Sequence, residues 1–85
     1  MQPVVIYTKW TCPYCHAAKA LLQQKGVPFE EISVDGDRVA QMAMAAKAGG
    51  RSTVPQIFVG EKHVGGCDDL HDLDEAGELD GLLAS

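Results

Sequence analysis

Eighty-five residues suit one domain, and 46% hydrophobic with 22% charged residues predicts a modest buried core and excludes a disordered chain. The net charge of −5, with only seven dispersed Lys and Arg, speaks against nucleic-acid or membrane-surface binding. Met1-Gln2-Pro3 lacks the features of a secretory signal, no window approaches the ~20 apolar residues of a membrane span, and three cysteines with two in a C-x-x-C fit a reducing compartment, so a cytoplasmic protein is expected.

Val4–Thr8 is a short apolar run and reads as the first strand. Lys9-Trp10-Thr11-Cys12-Pro13-Tyr14-Cys15 follows, leading into Ala17, Ala18, Ala20, Leu21 and Leu22, so that a helix is predicted over Pro13–Lys25 with Gly26 just past its end. Proline at the first helical position loses no hydrogen bond, and its φ already suits the helix. Cys12 then falls at the N-cap, where free N–H groups and the positive end of the macrodipole favour a thiolate. Cys15 lies one turn in, within reach of Cys12, and follows the core-facing spacing of Ala18 and Leu22. An exposed attacking thiol and a sheltered resolving thiol are the parts that thiol–disulfide exchange needs. The competing reading is a structural or metal-binding pair, but Cys67, His16, His63 and His71 lack the spacing of a four-ligand zinc site.

Pro28–Val34 is rich in β-formers and reads as a second strand, parallel to the first because a helix intervenes. Asp35-Gly36-Asp37 offers an N-cap for a second helix over Arg38–Ala48, whose apolar positions Val39, Met42, Ala43 and Ala46 recur at helical spacing. Its methionines, Met42 and Met44, are read as core and surface filler, not as ligands. Gln56–Val59 and Lys62–Val64 flank Gly60-Glu61 and form an antiparallel hairpin. Asp68-Asp69 opens a third helix carrying Leu70, Leu73 and Ala76, Gly77 interrupts it, and Leu79, Leu82 and Leu83 pack a final turn. The expected fold class is α/β, a four-stranded mixed sheet with helices on both faces.

C-x-x-C beside a βαβ unit is the signature of a thioredoxin-like redox motif. Thr11-Cys12-Pro13-Tyr14-Cys15 resembles the active site of dithiol glutaredoxins, Thr53-Val54-Pro55 their Thr-Val-Pro segment, and Gly65-Gly66-Cys67-Asp68-Asp69 their glycine-rich turn into the last helix. The blocks stand in family order and the similarity, greatest to small bacterial members, covers essentially the whole chain. It implies a thioredoxin-like fold and a glutathione-dependent disulfide oxidoreductase. Cys12 would be its nucleophile and Cys15 its resolving thiol. Glutathione would be a co-substrate, with no tightly bound cofactor and no metal. Lys9 would pair with a glutathione carboxylate, Tyr14 would line the groove, and Pro55 would be cis so that the Val54 backbone pairs with the tripeptide as an added strand. Asp68, with the N–H groups beside Gly66, Cys67 and Asp69, would hold the γ-glutamyl end, while Arg51 and Thr53 border the groove by position. The partners implied are glutathionylated or disulfide-containing proteins, ribonucleotide reductase among the tasks of the family, met by a monomer.

Several residues carry plainer readings. Lys9 is also an ordinary solvated charge, Asp69 a helix cap, Cys67 a small part-buried residue, and His16 and His63 surface residues. Glutaredoxins often place Gln or Arg about eleven residues before the Thr of Thr-Val-Pro; here Met42 stands there beside Gln41, leaving Arg51 to compensate or glutathione to bind more weakly. Trp10 precedes the motif where a polar residue is common, and exposure there suits a docking anchor. Two alternatives share these cysteines: a redoxin fed by thioredoxin reductase, which has no use for a glutathione groove, and a carrier of a [2Fe–2S] cluster bridged by Cys12 and glutathione, which the stiff Pro13 and the competing Cys15 disfavour.

Overall fold

The computed structural model describes residues 2–84. Eight elements follow one another: β1 (Val4–Thr8), α1 (Pro13–Gln24), β2 (Glu30–Ser33), α2 (Arg38–Lys47), β3 (Gln56–Val59), β4 (Lys62–Gly65), α3 (Cys67–Glu75) and α4 (Leu79–Ala84). They build one four-stranded sheet in the order β2-β1-β3-β4, with β1 parallel to β2 and the other two pairings antiparallel. The parallel pair follows from the α1 crossover, and the antiparallel hairpin from the two-residue turn at Gly60-Glu61, where Gly60 has φ +58°.

Side chains alternate across the sheet and give it two apolar faces. Val4, Ile6, Ile57 and Val59 point to the face covered by Ala18, Leu21 and Leu22 of α1, Leu70 of α3, and Leu79 and Leu83 of α4. Tyr7 and Phe58 point to the opposite face, where Val34, Met44 and Ala48 complete a smaller cluster. All of β3 is buried, as expected of a strand covered on both sides. Lys25, capping α1, pairs with Asp74 and Asp80 and ties the end of α1 to α3 and α4.

The expected boundaries shift where local chemistry intervenes. β2 covers Glu30–Ser33 alone, since Val27 and Phe29 turn into the core and Pro28 lacks a ladder N–H. α3 begins at Cys67, one residue before the acidic pair, and Gly77 (φ +74°) separates it from α4. In α2 the apolar positions at helical spacing, Val39, Met42, Ala43 and Ala46, are all exposed, and the buried stripe is Met44 with Ala48, flanked by Ala40. A short alanine-rich helix is apolar on two sides, so its phase is set by the sheet it meets. Asp37 caps it by accepting the Ala40 N–H at 2.9 Å.

The phase of α2 has a direct test. Met44 is 0% exposed and Met42 66% exposed. Urea denaturation is expected to show Met44→Ala losing about 2–5 kcal/mol, and Met42→Ala staying within about 0.5 kcal/mol of the parent.

Candidate active site

The site begins where β1 hands over to α1. Cys12 is the N-cap, with extended backbone (φ −90°, ψ 107°), and Pro13 occupies the first turn. Cys12 Sγ accepts the Cys15 N–H at 3.3 Å, the place an oxygen takes in an ordinary cap. The Cys12 carbonyl accepts the N–H groups of Cys15 (3.1 Å) and His16 (3.4 Å), and the Cys12 N–H donates to Lys9 O at 3.2 Å. The sulfur is therefore held at the helix start from several sides, part-buried and 3.6 Å from the Val54 carbonyl oxygen. Val54–Pro55 is a cis peptide. Cys12, Cys15 and Cys67 are all free thiols.

Cys15 faces inward and is fully buried. Burial pushes its thiol up to about 12, and the neighbouring Cys12 sulfur adds to the rise. At neutral pH Cys15 is thus a neutral thiol that waits beside Cys12. Cys67 is also buried, and burial first, then Asp68 and Cys12, push its thiol up. Its sulfur lies 3.4 Å from His71 Nδ1, which donates to the Cys67 carbonyl at 2.9 Å.

An open groove of about 160 Å³ runs beside Cys12, lined by Tyr14, Arg51, Thr53, Val54, Pro55, Gly66, Cys67, Asp68 and Asp69. Eight of the residues singled out by sequence thus converge, and Asp69 joins them. Lys9 does not line this groove: it sits in a neighbouring depression with Thr8, Trp10, His16, Lys19, Glu31 and Ser33. The far wall is the N-terminus of α3, whose cap is Gly66 and whose first turn carries Asp68 and Asp69. The Asp69 carboxylate accepts the Gly66 N–H at 2.8 Å and an Arg51 N–H at 3.2 Å. Those two donors, the Gly66 N–H first, hold its carboxyl below the usual carboxylate range. Gly65 (φ +119°) passes so near that a Cβ there would lie 2.3 Å from the Asp69 carboxylate, so only glycine fits. Asp69 is thus a cap, and Asp68 stands exposed at the groove.

Sequence reading had Met42 where a glutathione ligand is common, and Met42 indeed points to solvent. Its neighbour Gln41 turns the other way and donates to Ser52 O at 2.8 Å. Trp10 is 81% exposed on a fixed backbone, its N–H donating to Asp35 at 2.6 Å and its carbonyl accepting from His16 Nε2 at 3.2 Å. His63 departs from the surface reading. It is half-buried, stacks on Phe58 with centroids 4.9 Å apart, and donates from Nε2 to Gln56 Oε1 at 2.6 Å. Gln56 escaped notice altogether, although a polar residue opening the run Gln56-Ile57-Phe58-Val59 was the available signal. Among the described residues, no group of three or more His, Cys, Asp or Glu is placed to hold a metal ion, and no helix is long and apolar enough to cross a membrane.

A glutaredoxin family model matches residues 4–64. A glutaredoxin of Pseudomonas aeruginosa is 60% identical over 85 residues, covering all of both chains. Glutaredoxin 3 of Escherichia coli K12 is 58% identical over 83 residues, 98% of this chain and 99% of that one. Among solved structures, a buckwheat glutaredoxin–glutathione complex superposes with a TM-score of 0.88 at 34% identity, covering 98% of this chain and 77% of the other. The Brucella melitensis glutaredoxin gives 0.86 at 51% identity, covering 98% and 89%.

Two outcomes follow from the burial and the pKa directions. Iodoacetamide at pH 7 is expected to place a single adduct on the native reduced chain, at Cys12, and peptide mapping that finds Cys15 or Cys67 labelled at a comparable rate contradicts the geometry. A carboxyl held low in the folded state lends stability above its unfolded pKa and loses it as pH falls through the folded one. Melting temperatures followed downward from pH 5 should therefore fall less in Asp69→Asn than in the parent chain.

Proposed function

This chain belongs to the glutaredoxin family, and from that membership we propose that it is a glutathione-dependent thiol–disulfide oxidoreductase working through the Cys12/Cys15 dithiol. Its fold is the thioredoxin-like one of its structural relatives, and relatives at 58–60% identity support oxidoreductase activity. The observation that carries the finer reading is the seating of Cys12 Sγ at the start of α1, beside a groove whose opposite wall is the start of α3.

The Cys12 thiolate attacks the glutathione sulfur of a protein–glutathione mixed disulfide. The old S–S bond breaks, the protein leaves as its thiolate and takes a proton from water, and Cys12 is left joined to glutathione. A second glutathione thiolate attacks that glutathione sulfur, releasing glutathione disulfide and the Cys12 thiolate. With a protein disulfide, Cys12 forms the mixed disulfide and Cys15 resolves it, closing a Cys12–Cys15 bond that two glutathiones reopen. Cys15 is protected from premature reaction by the burial that pushes its thiol up to about 12. Once Cys12 is in a disulfide, its own contribution to that rise is gone and Cys15 deprotonates more easily.

The groove offers each part of the tripeptide a partner of the right kind. The γ-glutamyl carboxylate faces the N–H groups that open α3, and Asp68 meets the α-amino group. The central backbone pairs with Val54 as an added strand, against Pro55 and beside Tyr14. Lys9 reaches the glycine carboxylate from the adjoining depression, since Arg51 is already engaged by Asp69. The chain works as a monomer in a reducing cytoplasm, on glutathionylated and disulfide-containing proteins.

Cys12→Ser is expected to abolish all exchange, whereas Cys15→Ser keeps reduction of glutathionylated peptide and loses reduction of protein disulfides; equal loss of both activities in Cys15→Ser refutes the division of labour. Assays coupled to glutathione reductase should turn over. The same assays coupled to thioredoxin reductase should not, and the reverse pattern identifies the redoxin alternative.

A further inference from the structure

Three consecutive residues of the loop before β3 are each tied to a different element. Arg51 bonds Asp69 of α3 (3.2 Å), Ser52 O accepts from Gln41 of α2 (2.8 Å), and Thr53 accepts from Gln56 of β3 at both its carbonyl (3.0 Å) and its hydroxyl (3.3 Å). Gln56 stands apart from the others because it is 0% exposed in an otherwise apolar strand. A buried amide is tolerated only when its donors and acceptor are all engaged. Its Nε2 serves Thr53, and its Oε1 accepts from His63 Nε2 at 2.6 Å.

His63 reaches Gln56 because of how the hairpin pairs. Phe58 opposes His63, and Gln56, two residues along β3, points to the same side of the sheet. The ladder slips between Ile57 and Phe58, so that Ile57 opposes Gly65. The stacking of His63 on Phe58, with centroids 4.9 Å apart, fixes the ring. An imidazole carrying its proton on Nε2 then dictates which end of the Gln56 amide faces β4. With that amide turned over, Oε1 would oppose the Thr53 carbonyl, acceptor against acceptor.

We propose that Gln56 and His63 are positioning residues for glutathione: together they hold the Thr53–Val54 backbone at the height from which it pairs with the tripeptide. Neither lines the groove. Their effect passes through Thr53 to Val54, whose carbonyl lies 3.6 Å from Cys12 Sγ. The proposal rests on the groove being the glutathione site, and it concerns the engagement of the tripeptide and not the reactivity of the sulfur.

Three variants separate this role from plain stabilisation. His63→Phe keeps a ring on Phe58 and removes the donor, His63→Gln restores a side-chain N–H, and Gln56→Leu removes the amide. With a glutathionylated peptide as substrate, KM should rise about tenfold in His63→Phe and Gln56→Leu, the size expected for losing one well-placed hydrogen bond. kcat and the rate of Cys12 alkylation by iodoacetamide should stay near the parent values, and His63→Gln should return KM most of the way. Nitrogen-15 spectra of the parent should show His63 protonated on Nε2. An unchanged KM in His63→Phe, whatever its melting temperature, overturns the proposal, as does a His63 ring protonated on Nδ1 alone. If the parent enzyme itself shows no saturation with the glutathionylated peptide, the glutathione reading falls instead. Amide exchange at Thr53 and Val54 then decides the positioning role, faster in His63→Phe if it holds and unaltered if it does not. Should Gln56→Leu fail to fold, the two His63 variants carry the test.

Discussion

A single hydrogen bond, from the Cys15 N–H to Cys12 Sγ, organises the chemistry of this chain. It makes a sulfur the cap of α1 and so fixes three things together. The Cys12 sulfur lies at the helix start, where free N–H groups converge. The Cys15 thiol, three residues on, is turned into the core. Pro13 between them closes the turn without giving up a hydrogen bond. The rest of the fold is arranged around that sulfur: β1 delivers the turn, the parallel β2 and the antiparallel β3 hold β1 in the middle of the sheet, and the segment before β3 brings the Val54 carbonyl to 3.6 Å from it.

The groove is built from backbone more than from charge. The chain carries −5 overall, and the helix forming the groove's far wall holds Asp68, Asp69, Asp72, Asp74 and Glu75, an unpromising surface for an anionic tripeptide. Asp69, however, is spent on the Gly66 N–H and Arg51, which also keeps Gly65 and Gly66 in place. What remains to recognise an anion is the N-terminus of α3, whose donors are fixed in direction and need no side-chain ordering. A ligand with a carboxylate and an ammonium on one carbon suits an N-terminus flanked by an exposed aspartate, and the γ-glutamyl end of glutathione is such a ligand.

The parts of this arrangement that were legible in the sequence are those written in local signals. Pro13 after Cys12, Gly26 past the helix and Gly60-Glu61 between two β-rich runs each specify backbone directly, and the corresponding elements lie where expected. The phase of α2 was not legible, because Val39, Met42, Ala43 and Ala46 make as good a stripe on paper as Ala40, Met44 and Ala48. Only the sheet beneath distinguishes them. The neighbouring position of Lys9 said it belonged near Cys12 but not on which side, and it leaves the strand end into a separate depression. His63 and Gln56 were hidden for a different reason: their bond crosses a hairpin whose register slips, and no spacing rule anticipates a slip.

Trp10 is the largest exposed apolar side chain near Cys12, held on a backbone fixed by Asp35 and His16. It shares with Lys9 a depression that also holds His16, Lys19 and Glu31, whereas Tyr14, Arg51 and the start of α3 line the groove. In the proposed function the γ-glutamyl end and central backbone of glutathione occupy the groove, and Lys9 meets the glycine carboxylate at its edge. A crystal structure of Cys15→Ser trapped as its Cys12–glutathione mixed disulfide tests that assignment most directly. The γ-glutamyl carboxylate should lie on the N–H groups of Cys67 and Asp68, with the central backbone paired to Val54. Density for the tripeptide running instead over Trp10 and His16, with the start of α3 facing only solvent, contradicts it.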